Sequence, residues 1–138
     1  MVRKDQPAAE VTGPDHGIEA SVVERELSVT VEFGNDSAPS WPVVKVFGEV
    51  DIETSPALEE QLRSVLDQGH PSLLVDLAGV TFLDSTGLSV LIGGLRRCQD
   101  LGGELHLISP RPNVRKVLEV TGLMDTFHVE PGSEGQPD

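Results

Sequence analysis

Tyrosine is absent from this sequence, tryptophan occurs once, as Trp41, and phenylalanine only four times. So few flat rings leave little with which to stack bases or sugars, and they oblige the core to be aliphatic. Cysteine is equally scarce. Cys98 is alone, which excludes an intramolecular disulfide. With no charged-then-apolar stretch at the start of the chain, the expected location is the reducing cytoplasm. Positive charge is short as well: ten Lys and Arg face 23 Asp and Glu, for a formal net charge of −13. That balance repels phosphate backbones and anionic lipid headgroups, so direct nucleic-acid and membrane-surface partners are disfavoured. Long apolar runs are also missing. Leu88 to Leu95 is interrupted by Ser89 and Gly93-Gly94 and falls far short of the roughly 20 residues that span a bilayer.

What is there fits one domain. The chain has 138 residues, about the size of a single hydrophobic core. Residues 1–23 are polar, carry Pro7, Gly13, Pro14 and Gly17, and are expected to form a disordered leader; residues 131–138 are expected to form a flexible tail. The folded part is then Glu24 to Glu130, 107 residues, enough to bury about two-thirds of the unfolded surface.

Within it the hydrophobic period switches regularly. Leu27, Val29 and Val31 alternate with polar residues as in a strand with one covered face, Gly34 to Pro39 supplies turn residues, and Val43 to Phe47 makes an antiparallel second strand. Ser55-Pro56 reads as a helix cap and first turn. Leu58, Leu62, Val65 and Leu66 follow at helical spacing, with the end near Gln68 before Gly69. Ser72 to Leu77, ending at Asp76, reads as a central strand covered on both faces. Leu88, Leu91, Ile92 and Leu95 stripe a second helix reaching Gly102-Gly103. Leu105 to Ile108 is a strand, Val114, Val117 and Leu118 a third helix ending at Gly122, and Phe127 to Val129 a last strand. The order β-β-α-β-α-β-α-β implies an α/β domain with a mixed, mostly parallel sheet and right-handed crossovers.

Several chemistries lack their parts. A hydrolase nucleophile elbow at Ser85 needs glycines two residues before and after; Leu83 occupies the first position, and His106 and His128 lie on predicted strands rather than active-site loops. Asp76 lacks the companion carboxylates of a Mg²⁺-dependent phosphoacceptor and is read as structural. Cys98, His70, His106 and His128 show no ligand spacing, so no metal site is expected and Cys98 reads as a plain helix-face cysteine. Gly87, Gly93-Gly94 and Gly102-Gly103 match neither the phosphate loop nor the dinucleotide fingerprint, so no cofactor is expected. The Gly93-Gly94 pair, costly inside a helix, is expected to allow close packing on the sheet. Asp84-Ser85-Thr86-Gly87 stands at a helix N-terminus, where free N–H groups and the dipole tolerate an anion. Spacing alone leaves two readings open there: ordinary capping by Asp84 or Ser85, or a serine whose phosphorylation changes the charge of a binding surface.

The run Leu73-Leu74-Val75-Asp76-Leu77, followed by Val80-Thr81-Phe82-Leu83-Asp84-Ser85-Thr86-Gly87-Leu88, resembles the signature of STAS domains, in particular the bacterial anti-anti-sigma factors. Val46 to Ser55 is similar to that family's second strand and following loop, and Val114 to Phe127 to its closing helix. The resemblance covers about Leu27 to Val129. It implies a non-enzymatic regulator with no catalytic residue, metal or cofactor of its own, an anti-sigma factor antagonist. Such a protein binds a serine kinase that doubles as the anti-sigma factor and so frees a sigma factor. By motif position Ser85 is the phosphoacceptor whose modification switches binding off, and a metal-dependent serine phosphatase restores it. Asp84 would orient that site, Thr86 and Gly87 shape the helix start, and Asp51 and Thr54 supply neighbouring contacts; these five form the expected partner interface. The family commonly adds a helix after the last strand, whereas Pro131 to Asp138 departs from that pattern. The alternative implied by the same resemblance is a STAS scaffold or adaptor subunit of a stress-signalling complex or a transport system.

Overall fold

A computed structural model describes residues 18–24, 27–34 and 41–130. Its elements are β1 (Ile18–Glu24), β2 (Leu27–Glu32), β3 (Val43–Val50), α1 (Ser55–Asp67), β4 (Leu73–Leu83), α2 (Ser85–Asp100), β5 (Leu105–Ile108), α3 (Pro112–Val120) and β6 (Val129–Glu130). The strands form one sheet in the order of the chain. β1, β2 and β3 are antiparallel neighbours, and β3, β4, β5 and β6 are parallel. The expected α/β class and element order hold, with one strand added in front.

That strand corrects the expected leader. Residues 18–24 pair with β2 from Ile18↔Glu32 to Glu24↔Leu27, because only two residues separate the strands and the edge of β2 offers unpaired backbone groups. The rest of the expected leader and the tail at 131–138 lie outside the described residues.

A second correction concerns β4. The chain does not leave the sheet at Leu77 but continues to Leu83, through two register shifts against β3. Between Lys45↔Asp76 and Phe47↔Gly79 the longer strand carries one extra residue, a bulge. Asp76, expected at a strand end, sits at this irregularity, and its Oδ1 accepts from the Ala78 N–H at 2.9 Å. The carbonyls turned out there find donors on the start of α3: Arg111 Nε donates to Ala78 O at 2.7 Å and Asn113 Nδ2 to Thr81 O at 2.9 Å. An aliphatic run read by period alone hides a bulge, since satisfaction of the irregular backbone comes from residues more than 30 positions later.

Three right-handed crossovers stepping the same way across the sheet place all three helices on one face. Burial follows. Leu27, Val29, Val31, Val44, Val46, Leu73, Val75, Leu77, Leu105 and Leu107 are buried on that face and join Leu58, Leu62, Leu91, Val114, Leu118 and Phe127 in one core. Residues on the opposite face, among them Val43, Lys45, Leu74, Asp76, His106 and Ile108, are half-buried, and Phe47 is exposed. The expectation that β4 is covered on both faces is therefore overturned: no helix among the described residues reaches the second face. Cys98 is likewise on the buried side of α2, not on an open helix face, and burial pushes its thiol up to about 11.

The adjacent glycines of α2 differ from one another. A Cβ on Gly94 would stand 3.2 Å from Leu62 Cδ1 and Leu105 Cδ1, so this glycine does bring the helix close to α1 and the sheet. Gly93 has open space around it. Close packing explains one of the pair. Gly93 instead lines a shallow groove of about 230 Å³ between α1 and α2.

Candidate functional site

β3 and β4 end side by side at Val50↔Leu83, and the Asp84 N–H donates to Val50 O at 3.2 Å, so two loops leave the sheet at one corner. The first, after β3, is closed by its own side chains. Asp51 Oδ1 accepts from the N–H of Glu53 at 2.9 Å and of Thr54 at 3.0 Å. The Thr54 hydroxyl donates to Glu49 O at 2.7 Å and accepts from the Asp51 N–H at 2.9 Å. Asp is suited to this because its short carboxylate reaches the backbone two and three residues on. Thr54, rather than Ser55, is the cap position of α1, with Ser55 and Pro56 already helical; its hydroxyl is spent on the loop and makes no side-chain cap bond.

The second loop is the single residue Asp84 between the end of β4 and the start of α2. Asp84 is its N-cap, in extended conformation, and its Oδ1 accepts from Thr86 N–H at 3.0 Å, Gly87 N–H at 3.1 Å and the Thr86 hydroxyl at 2.5 Å. Gly87 permits the abrupt turn. A Cβ there would lie 2.6 Å from Leu83 Cδ1, 2.7 Å from Val50 Cγ1 and 3.2 Å from Val50 O. The first turn of α2 thus rests directly on the ends of β3 and β4.

Ser85 is left as the first residue of the helix, exposed, beside a cap that Asp84 has already filled. Of the two open readings, capping belongs to Asp84, and the Ser85 hydroxyl faces solvent at the positive end of the helix dipole. The same two strand ends carry Asp51 and Asp84, both half-buried, and two exposed apolar residues, Ile52 at 70% and Phe82 at 46%. Phe82 faces Glu49 across β3–β4, one step before Val50↔Leu83, so these rings and branches border the same corner.

The expected contact residues therefore divide. Thr54 is 2% exposed and Gly87 is buried, so neither residue offers a surface to touch; Thr54 holds the first loop in shape and Gly87 lets the first turn of α2 sit on the strand ends. Asp51, Asp84 and Thr86 are partly accessible, while their exposed neighbours Ile52 and Phe82 were not legible in the sequence, because exposure of an apolar residue depends on which way the loop turns. His106 and His128 are far from Ser85. His106 faces Leu74, nine residues before the end of β4, which at 3.3 Å per residue, shortened by bulges, is on the order of 25 Å away. The residues of a Ser-His pair are not brought together. Those histidines meet Glu104 instead, a grouping with no telling sequence spacing.

The pattern of the STAS domain family matches residues 34–135, about three-quarters of the sequence. The chain belongs to the STAS domain family. A relative within reach is the anti-sigma-B factor antagonist of Staphylococcus aureus (strain NCTC 8325 / PS 47), 37% identical over 91 residues, which are 66% of this chain and 84% of that protein. The crystal structure of an anti-sigma factor antagonist from Mycobacterium paratuberculosis superposes with a TM-score of 0.68 at 32% identity, over 78% of this chain and 88% of that one. Unphosphorylated SpoIIAA, also an anti-sigma factor antagonist, gives 0.64 at 23% identity, covering 77% and 90%, and shares the fold. In this STAS domain, as in the sequence motif, Asp84-Ser85-Thr86-Gly87 is the corner where the two loops converge. No helix among the described residues is long and apolar enough to cross a membrane.

Proposed function

We propose that this STAS domain is an anti-sigma factor antagonist that works by being bound and modified rather than by catalysis. The unmodified chain docks on a cytoplasmic serine kinase that is also the anti-sigma factor, so that a sigma factor is released. Transfer of phosphate to Ser85 ends the docking, and a metal-dependent serine phosphatase resets it. The observation that carries this reading is the exposed Ser85 hydroxyl at the first position of α2, with its helix already capped by Asp84. Because the cap does not depend on Ser85, a phosphate there leaves the fold in place and acts outward. It adds about −1.5 to −2 charges beside Asp84 and Asp51, on a surface whose apolar contacts are Ile52 and Phe82. Similarity to the staphylococcal and mycobacterial antagonists supports the role. The net charge of −13 supports an effect on transcription that passes through protein and not through DNA.

The test is incubation with the cognate kinase and ATP, phosphosite mapping, and titration of Ser85→Ala and Ser85→Asp against the kinase. Phosphate is expected on Ser85, with Ser85→Asp binding at least about tenfold more weakly than Ser85→Ala, a difference of about 1.4 kcal/mol. Phosphate on Thr86 alone, or equal affinities for the two variants, would overturn the switch.

A further inference from the structure

The sheet edge far from Ser85 carries a second cluster. β5 and β6 are parallel neighbours with Leu107↔Val129 and Ile108↔Glu130, so His106, Ile108 and Glu130 share the helix-free face, and Glu104 and His128, the residues just before β5 and β6, flank His106 there. His106 is held from both ends: Nε2 lies 2.8 Å from Glu104 Oε1 and Nδ1 lies 3.2 Å from Glu130 Oε2. A neutral imidazole has one N–H and so donates to only one of two carboxylates; a metal ion at its other nitrogen would satisfy the second. The His128 ring is stacked 4.2 Å from His106, and one ligand atom each from Glu104, His106 and His128 lie within 4.8 Å of one another. Among the described residues, neither Glu104 nor Glu130 is ion-paired to a lysine or arginine.

We propose that Glu104, His106 and His128 are the ligands of a divalent transition-metal site of the Zn²⁺ class, with Glu130 orienting His106 through its other nitrogen. Two imidazoles and a carboxylate suit Zn²⁺, Ni²⁺ or Cu²⁺ and not Mg²⁺ or Ca²⁺, which prefer oxygen throughout. A carboxylate on the far nitrogen of a ligating histidine is the usual way such a ring is fixed in tautomer and direction. Metal–ligand bonds of about 2.0–2.2 Å require the donors to close by roughly an ångström, and the movable members are the exposed ones, Glu104 and His128. His106 stays put: its side chain is 14% exposed and Trp41 packs edge-on against it at 4.9 Å. Three protein ligands leave a fourth position for water or for a donor from another molecule. An ion there joins the two-residue β6 to β5 by side chains as well as backbone.

Trp41 is the only tryptophan in the chain and reports on the site. The experiment is titration of the full, tag-free chain at pH 7 with Zn²⁺ by calorimetry, and with Cu²⁺ or Ni²⁺ by quenching of Trp41 fluorescence. One saturable equivalent is expected, with quenching reversed by excess Zn²⁺. Glu104→Gln and His128→Asn should each weaken binding at least about tenfold, and Glu130→Gln by about 10–100-fold. Both ligand substitutions are on exposed side chains. Asn also tolerates the left-handed backbone of His128, φ 53°, so unchanged metal-free melting is expected. No saturable binding below about 1 mM, or binding and quenching retained in the Glu104→Gln/His128→Asn double variant, would overturn the site.

Discussion

Replacing Gly87 and Gly93 by alanine, one at a time, probes how the Ser85 corner is built. Both glycines lie inside α2, so each substitution gains about 0.8–1 kcal/mol of helix propensity. At Gly93 nothing stands within 4 Å of the new methyl, and that gain should appear whole. At Gly87 the methyl would arrive 2.6 Å from Leu83 Cδ1 and 2.7 Å from Val50 Cγ1, both well inside contact distance. The branched Val50 and Leu83 side chains are themselves buried, and the Val50 carbonyl, 3.2 Å away, is held by the Asp84 N–H, so the helix start must lift from the strand ends. Overpacking of this kind costs about 1–3 kcal/mol. Gly87→Ala, where the contacts fall below 3 Å and the cost sits in the upper part of that range, about 2–3 kcal/mol, should therefore destabilise by about 1–2 kcal/mol net, while Gly93→Ala stabilises by up to about 1 kcal/mol. The separation, about 2–3 kcal/mol, corresponds to roughly 10 °C or more in Tm for a domain of this size. Urea unfolding followed by Trp41 fluorescence and by helix circular dichroism measures it. Gly87→Ala should also speed amide exchange at Thr86 and Gly87, whose N–H groups are held by Asp84. An alanine at 87 that is neutral or stabilising, or equal shifts for the two variants, would refute the claim that β3, β4 and α2 are in contact at this corner.

Asp84→Ala removes an acceptor from two backbone N–H groups and the Thr86 hydroxyl and should cost about 1–2 kcal/mol, with Asp84→Asn retaining most of the cap; equal urea midpoints for the two variants would refute the capping role. Burial raises the Cys98 thiol from 9.0 to about 11, so the folded chain keeps a proton that the unfolded chain releases. The resulting stability is fully present below about pH 9 and is lost as pH rises toward 11, to the extent of roughly 2–3 kcal/mol. Wild type should lose that much more than Cys98→Val between pH 8 and 11 in urea titrations, and parallel losses would contradict it. Cys98 should also react with thiol reagents at the rate of unfolding, not of surface thiols.

Much of the fold was legible because it rests on period and punctuation. The stripes Leu58-Leu62-Val65-Leu66 and Leu88-Leu91-Leu95, stopped by Gly69 and Gly102, define α1 and α2 locally, and their alternation with short aliphatic strands leaves little choice but parallel crossovers. The Asp84-Ser85-Thr86-Gly87 corner was legible for the same reason, since a short acid before a hydroxyl and a glycine is a local device for starting a helix. The strand at Ile18–Glu24 was hidden, because its partner is the edge of β2 and not anything in its own composition. The bulges of β4 were hidden because their carbonyls are satisfied by Arg111 and Asn113.

Composition and pattern alone determined an acidic, aliphatic α/β domain with a serine at a helix start, for these follow from charge count, hydrophobic period and capping chemistry. Only the tertiary structure decided which of Asp84 and Ser85 is the cap, that Thr54 and Gly87 are buried while Ile52 and Phe82 are exposed, and that Glu104, His106 and His128 meet. Those outcomes depend on strand register and on the direction in which loops leave the sheet, and both are set by contacts between residues remote in sequence.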